Sequence, residues 1–375
     1  MDLMELAKLS GVTLVYGPAG AGKTTFAAWY VYARSARALW ISLFEDEATF
    51  RRNMANLGYN FGDRLIFWEA PAVEDLAAVF ELIADAVAKN KPDIVVLDSV
   101  TELISGGDVH AGLRAVHNLI YRLMKSIGAD VVMTAERQVA ERLMYIADNV
   151  IELRYDIFPY GTVREMVVRK IRGSKAGYAL PYAIAEGLGL VIMKPPSLRR
   201  AGEVLKTGVV CFDETFGGLA PGAVYALIGP VGAGKSTLML KVAEGLRRAG
   251  KRAVYLSFLG DADMLKNRYD VEAYNAPLDV EEFLLQFFSL AVRERADAVL
   301  IDAIDLMAQF FGKEVFFTVL LQIIRIAKAS GVPVVISLAQ DWNITNFLDA
   351  VAYISSGTIK AVKSPLGRSA SETKC

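Results

Sequence analysis

LVYGPAGAGKTTFAAWYV, residues 14–31, and ALIGPVGAGKSTLMLKVA, residues 226–243, are two versions of one device. Each runs from a short apolar stretch through G-x-x-x-x-G-K-[ST] into a segment of helical period. The first copy is built from Gly17, Pro18, Ala19, Gly20, Ala21, Gly22, Lys23, Thr24 and Thr25. The second uses Gly229, Pro230, Val231, Gly232, Ala233, Gly234, Lys235, Ser236 and Thr237. Glycines so spaced let backbone N–H groups turn inward around phosphate oxygens, and the following helix aims its N-terminus at the anion. The lysine reaches the β- and γ-phosphates, and the hydroxyl of Thr24 or Ser236 is placed to ligate Mg2+. A glycine-rich turn can also bind nothing. Here the pattern follows a predicted strand, opens a predicted helix and occurs twice, so nucleotide binding is expected at both.

The similarity continues beyond the loops. ALWISLF (38–44) matches AVYLSFL (253–259), PDIVVLDSVTEL (92–103) matches ADAVLIDAIDL (296–306), and GADVVMTAE (128–136) matches GVPVVISLAQ (331–340). The order is preserved, as a tandem duplication requires. Between the strands lie amphipathic stretches such as VEDLAAVFELIADAVAKN (73–90) and VEEFLLQFFSLAVRERA (280–296). Apolar strands alternating with such helices read as an α/β fold, a mostly parallel sheet with helices on both faces, in each copy. The expected domains are residues 1–194 and 207–363, joined by a Pro-broken linker at 195–206 and followed by an irregular polar tail at 364–375. Asp98 and Asp302 each end an apolar strand, from which a carboxylate can enter the magnesium shell. Taken alone, an aspartate there is more often a turn residue or cap. With the loops upstream, two sites for ATP and Mg2+ are expected, with Thr24, Asp98, Ser236 and Asp302 near the metal.

Composition sets outer limits. The 375 residues are 54% apolar and 22% charged, which suits two packed domains and excludes disorder over most of the length. Lys and Arg total 41 against 42 acids, so no global field recruits nucleic acid or anionic lipid, although a local basic patch remains open. The mean hydropathy of +0.33 is high. No apolar run approaches the ~18 residues of a membrane span, so the excess belongs in cores and protein–protein contacts. MDLMELAKLSG at the start carries no secretory pattern. Two cysteines, Cys211 and Cys375, cannot make a disulfide framework and point to a reducing cytoplasm. Two histidines, His110 and His117, offer little to zinc. Trp29, Trp40 and Trp68 stand in apolar contexts and are read as core.

These residues resemble the RecA-like ATPases, and within them the KaiC-like family, over nearly the whole chain. The tandem loops, LDSVTEL, and SLFEDEATFRRNMANLG carry the likeness, with TGVVCFDETFGGLAPG (207–222) leading into the second loop. More specific is VREMVVRKIRGSKAGYALPYAI (163–184), which holds K-x-R-G-[ST] as Lys170-Ile171-Arg172-Gly173-Ser174. The resemblance implies two RecA-like P-loop NTPase domains and a homo-hexameric ring with ATP between neighbours. Lys170 and Arg172 would then reach the next protomer's γ-phosphate and stabilise its developing charge. A solvated basic strand edge is the alternative.

The resemblance also shows departures. The family places a glutamate pair directly after the second strand to orient and deprotonate water. Registering FRRNMANLG (50–58) without gaps puts that pair at Phe44-Glu45, leaving Glu45 as the candidate base, with Asp46 and Glu47 following. In the second copy the positions are Leu259-Gly260, with Asp261 next. A buried leucine cannot be a base, so the second site is expected to bind ATP and turn it over poorly, since losing a positioned base costs about 10²–10⁴-fold. The second copy also lacks K-x-R-G-[ST], leaving Lys363 and Arg368 as trans-acting cations, and the first lacks the lead-in segment. Clock-type members autophosphorylate a Ser-Thr pair, and the register on ITNFLDAV puts Thr345-Asn346 there, so autokinase activity is not supported.

The resulting expectation is a slow, cytoplasmic ATPase ring that hydrolyses in its first domain. Alternatives are an ATP-gated, non-catalytic scaffold read by a protein partner, and a recombination or repair accessory on DNA. Charge balance and the single arginine of SGGDVHAGLR (105–114) weigh against the last.

Overall fold

Five-residue strands made almost wholly of Val, Ile, Leu, Ala and aromatic residues cannot leave either face in water, and helices cover both faces of the two sheets they build. The computed structural model describes residues 6–70, 76–105, 109–158, 161–174, 176–193, 202–364 and 372–375. The first sheet contains β1 (Val12–Tyr16), β2 (Ala38–Ser42), β3 (Leu65–Glu69), β4 (Ile94–Asp98), β5 (Asp130–Ala135), β6 (Asn149–Phe158), β7 (Gly161–Ile171), β8 (Tyr178–Ala185) and β9 (Gly189–Ile192). Its order is β3-β2-β4-β5-β1-β6-β7-β8-β9.

The second sheet contains β10 (Val224–Ile228), β11 (Ala253–Ser257), β12 (Glu272–Asn275), β13 (Ala298–Asp302), β14 (Val334–Leu338), β15 (Ala350–Ser355), β16 (Thr358–Lys363) and β17 (Glu372–Lys374). Its order is β12-β11-β13-β14-β10-β15-β16-β17, so the strands of the first sheet recur position by position up to β8. In both, the pairs that flank the first strand are parallel, and antiparallel strands close one side. These are tandem RecA-like α/β units.

Alternation along the strands feeds two cores. In the first unit Val15 joins Phe26, Tyr30, Trp40 and Phe50 on one face. Leu14 and Tyr16 join Ile83, Val87, Leu97 and Met133 on the other. Trp40 is 1% exposed, its ring tilted by 47° against that of Phe50 with centroids 4.5 Å apart, and its truncation would cost about 3–5 kcal/mol. Trp29 is buried and Trp68 packs against the second face, as core tryptophans do. Among the described residues, no helix is long and apolar enough to cross a membrane.

Two expectations need correction. The two cysteines are not free: Cys211, on helix α2 (Val210–Phe216), forms a disulfide with Cys375. The tail is not irregular at its end, because Glu372–Lys374 pairs with β16 as an edge strand, and that pairing carries Cys375 to α2. At a sequence separation of 164, nothing local announces the pair. The cysteine count therefore says nothing for a reducing compartment. Ahead of β1 in the first unit, Leu6 and Ala7 are helical and are buried with Leu9 in the core. Most of the linker expected at 195–206, and residues 365–371 of the tail, lie outside the described residues. Leu205 within that linker pairs with Leu219.

Candidate functional site

Both glycine loops join the C-terminal end of a central strand to a helix, α1 (Lys23–Arg34) after β1 and α3 (Lys235–Arg248) after β10. Open parallel sheets bind ligands at this edge. Gly20 and Gly22 have φ of 81° and 86°, and Gly232 and Gly234 have 82° and 97°, a region that L side chains avoid. The first glycine is required for a different reason. A Cβ on Gly17 would lie 2.3 Å from Leu153 O, and one on Gly229 2.2 Å from Ile354 O. Each loop is pressed against the adjacent strand's backbone, leaving room for hydrogen alone.

The lysines are held over their loops. Lys23 Nζ donates to Gly17 O and Pro18 O at 3.0 and 3.1 Å, and Lys235 Nζ to Gly229 O and Pro230 O at 2.6 and 2.9 Å. Burial pushes the pKa of both down, opposed by Glu136 and Asp98 in the first unit and by Asp302 and Asp305 in the second. In the first loop, Tyr155 Oη and Tyr182 Oη donate to Ala19 O and Ala21 O and brace the turn.

Asp98 and Asp302 sit beside these loops, opposite Ser42 and Ser257 in register. Burial raises the Asp98 pKa, against donation from Thr134 and Thr24 and the charge of Lys23. Thr24 and Asp98 are thus brought together. A carboxylate, a hydroxyl and nucleotide oxygens form an all-oxygen set that suits Mg2+. Among the described residues, no group of three His, Cys, Asp or Glu could hold a metal, so phosphate oxygens would have to complete the shell. Asp302 is engaged differently: Tyr255 Oη donates to Oδ2 at 2.6 Å and Ser337 Oγ to Oδ1. Burial and that carboxylate drive the Tyr255 pKa upward, so its proton stays on.

The turn after the second strand has one shape in both units. Ser42 Oγ accepts from Glu45 N at 2.9 Å, and Ser257 Oγ accepts from Gly260 N at 2.6 Å. Asp46 and Asp261 cap the next helices, accepting from Thr49 N and from Asp263 N. These landmarks equate Glu45 with Gly260 and Phe44 with Leu259. Phe44 and Leu259 are 77% and 72% exposed, which corrects the expectation that Leu259 is buried. A side chain at that position points to solvent, so what the second unit lacks is a carboxylate at Gly260. Glu45 is partly buried, and Asn53 Nδ2 donates to its Oε1 at 2.8 Å. Its pKa is raised, first by burial and then by the charges of Asp98 and Asp46, against the Asn53 bond. Asp46 is committed to its cap, and Glu47 pairs with Arg51.

Lys170 and Arg172 lie elsewhere. Lys170 Nζ donates to Met144 O and Ala147 O, and Arg172 Nε pairs with Asp148 at 2.9 Å. Asp148 also accepts from Val12 N, at the start of β1, whereas the loop begins at its end. At roughly 3.3 Å per residue the two cations stand about 13 Å from their own loop, at the opposite edge of the sheet. Lys363 donates to Thr345 O. Arg368 lies outside the described residues.

Sequence reasoning missed Tyr255, which reads simply as a strand residue, and an arginine cluster at the shoulder of the first loop. Glu152, paired with Tyr16 in register and 1% exposed, accepts from Arg137, Arg154 and Arg169. An acid between the apolar Ile151 and Leu153 of a strand was the available signal.

A family model described as ATPase: KaiC matches residues 8–197. The chain is 28% identical over 277 residues to the circadian clock protein KaiC2 of Synechocystis sp., covering 65% of this chain and 48% of that protein. It is 28% identical over 278 residues to the circadian clock oscillator protein KaiC of Thermosynechococcus vestitus, covering 66% and 53%. For that of Synechococcus elongatus the figures are 28% over 305 residues, 72% and 57%. The chain spans about half the length of these curated relatives.

Proposed function

The chain belongs to the KaiC family of ATPases, and from that premise we propose that it binds Mg·ATP at both loops, hydrolyses it slowly at the first, and holds it at the second. The observation that carries this reading is the inequality of two otherwise matching turns: one holds Glu45, close enough to Asp98 to feel its charge, and the other has Gly260 at the same place. Lys23 supplies a cation to the transferring phosphoryl group, and Glu45, its pKa raised, accepts the proton of the attacking water. Bound Mg2+ would neutralise phosphate charge, held through Thr24 and Asp98, or Ser236 and Asp302. In the second unit a loop and a metal carboxylate remain without a base, which supports nucleotide holding.

Lys170 and Arg172, remote from their own loop, would act on nucleotide bound to a neighbouring copy in a homo-oligomeric ring. A protein partner that reads the nucleotide state fits the same scheme. The test is phosphate release by Lys23→Ala and Lys235→Ala, with native mass measured with and without Mg·ATP. Lys23→Ala should lose most turnover. Lys235→Ala should keep most of it while losing assembly or thermal stability. Loss of the bulk of hydrolysis in Lys235→Ala would reverse the assignment.

A further inference from the structure

The strand that follows the hairpin differs between the units. In the first, β8 braces the phosphate loop: Tyr182 Oη donates to Ala21 O, and Ile184 Cδ1 lies 2.4 Å from where a Cβ on Gly22 would be. In the second, β17 takes that place in the sheet order with three residues. A ladder that short is weak on its own. It is secured at its end, where Cys375 N donates to Gly357 O at 2.8 Å and Cys375 is bonded to Cys211.

A cavity of about 520 Å³ lies between this staple and the second loop. Gly232, Gly234 and Thr237 border it on one side, and Cys211, Lys374 and Cys375 on the other. Lys235, Ser236 and Asp302 do not line it, so it meets the loop at Gly232, Gly234 and Thr237 and not at the metal carboxylate. That is the side left for the nucleoside when the terminal phosphates are at Lys235. Cys211 is 6% exposed within the core, whereas Cys375 is exposed. An external thiol can therefore reach one sulfur of the pair while the other anchors the wall.

We propose that the Cys211–Cys375 disulfide is a redox-controlled wall of the second nucleotide site: oxidised, it holds β17 and Lys374 at the nucleoside side of the loop, and reduced, it releases them and weakens nucleotide binding. This rests on the reading that the Gly229–Thr237 loop binds nucleotide. The reductant is a dithiol. Its thiolate attacks Cys375 Sγ, the Sγ–Sγ bond breaks, and Cys211 Sγ leaves with the electron pair and takes a proton. The second thiol of the reductant then displaces Cys375, which also takes a proton. Two electrons and two protons pass to the cysteines, and the dithiol becomes a disulfide.

The test uses the full chain carrying Lys23→Ala, so that binding of a fluorescent ATP analogue with Mg2+ reports the second site. Thiol titration first establishes the pair in air-oxidised protein. Dithiothreitol should weaken binding roughly fivefold or more, within the usual range of coupling between sites, and reoxidation should restore it. Adding Cys375→Ser, which alters the exposed partner, should give the weak affinity in both conditions. Two free thiols in the oxidised protein, or affinities within twofold with and without dithiothreitol, would overturn the proposal. If binding is equal in both conditions but lost with Lys235→Ala, the nucleotide reading stands and the redox control falls. If oxidised Lys23→Ala protein binds no analogue, both fall.

Discussion

Glu45→Gln tests the chemistry most directly. The substitution keeps the shape of the side chain and the Asn53 contact while removing the capacity to take a proton. A positioned base contributes about 10²–10⁴-fold, so turnover at the first site should fall by that factor, equivalent to about 2.7–5.5 kcal/mol in the barrier. Affinity for the ATP analogue should stay unchanged, because the loop and Lys23 are untouched. The assay is steady-state phosphate release beside analogue binding.

The pH profile gives a second handle. A base must be ionised, so activity falls as pH drops through its folded pKa, and burial places that of Glu45 above the ordinary glutamate range. Asn53 donation pulls it down, hence Asn53→Ala should move the acid limb of kcat/KM to still higher pH. Asp98 is also raised but has no bond to Asn53, so the shift separates the two. Turnover of Glu45→Gln within twofold of the unmodified protein, or an unmoved limb in Asn53→Ala, would refute the assignment.

Arg172→Ala should lower turnover of the assembled protein by about 10³-fold or more while leaving binding by dilute protein intact, as a cation acting in trans would; Arg172 itself is exposed, so its pair with Asp148 contributes little to folding. In Glu152→Gln, stability at pH 7 should fall by about 1–2 kcal/mol, discounted for three half-exposed arginines. Burial alone would raise the Glu152 pKa, but Arg154, Arg169 and Arg137 hold it at about 2 against 4.5 unfolded. The contribution is therefore present above pH 4.5 and lost as pH falls toward 2, so denaturation curves of the two proteins should converge on acidification. Tyr255→Phe removes one of the two hydroxyls on buried Asp302 and should destabilise the nucleotide-free second unit by about 1.5–3 kcal/mol, read by thermal unfolding.

Much of this was legible in one dimension because its causes are local. Glycines at 17, 20 and 22 and again at 229, 232 and 234 answer to backbone angles and close approaches that no other residue tolerates, so the loops declare themselves. Apolar strands alternating with helices likewise dictate a covered parallel sheet, and the turn register placed Glu45 opposite Gly260. What the sequence withheld depends on partners far apart in it. The outward direction of Leu259, the arginines around Glu152 and the tyrosine on Asp302 follow from strand register. Lys170 and Arg172 carry their charge in the sequence, yet only the course of β7 puts them at the edge opposite their own loop. Cys211 and Cys375 meet because an edge strand of three residues returns to α2, a contact that folding alone creates.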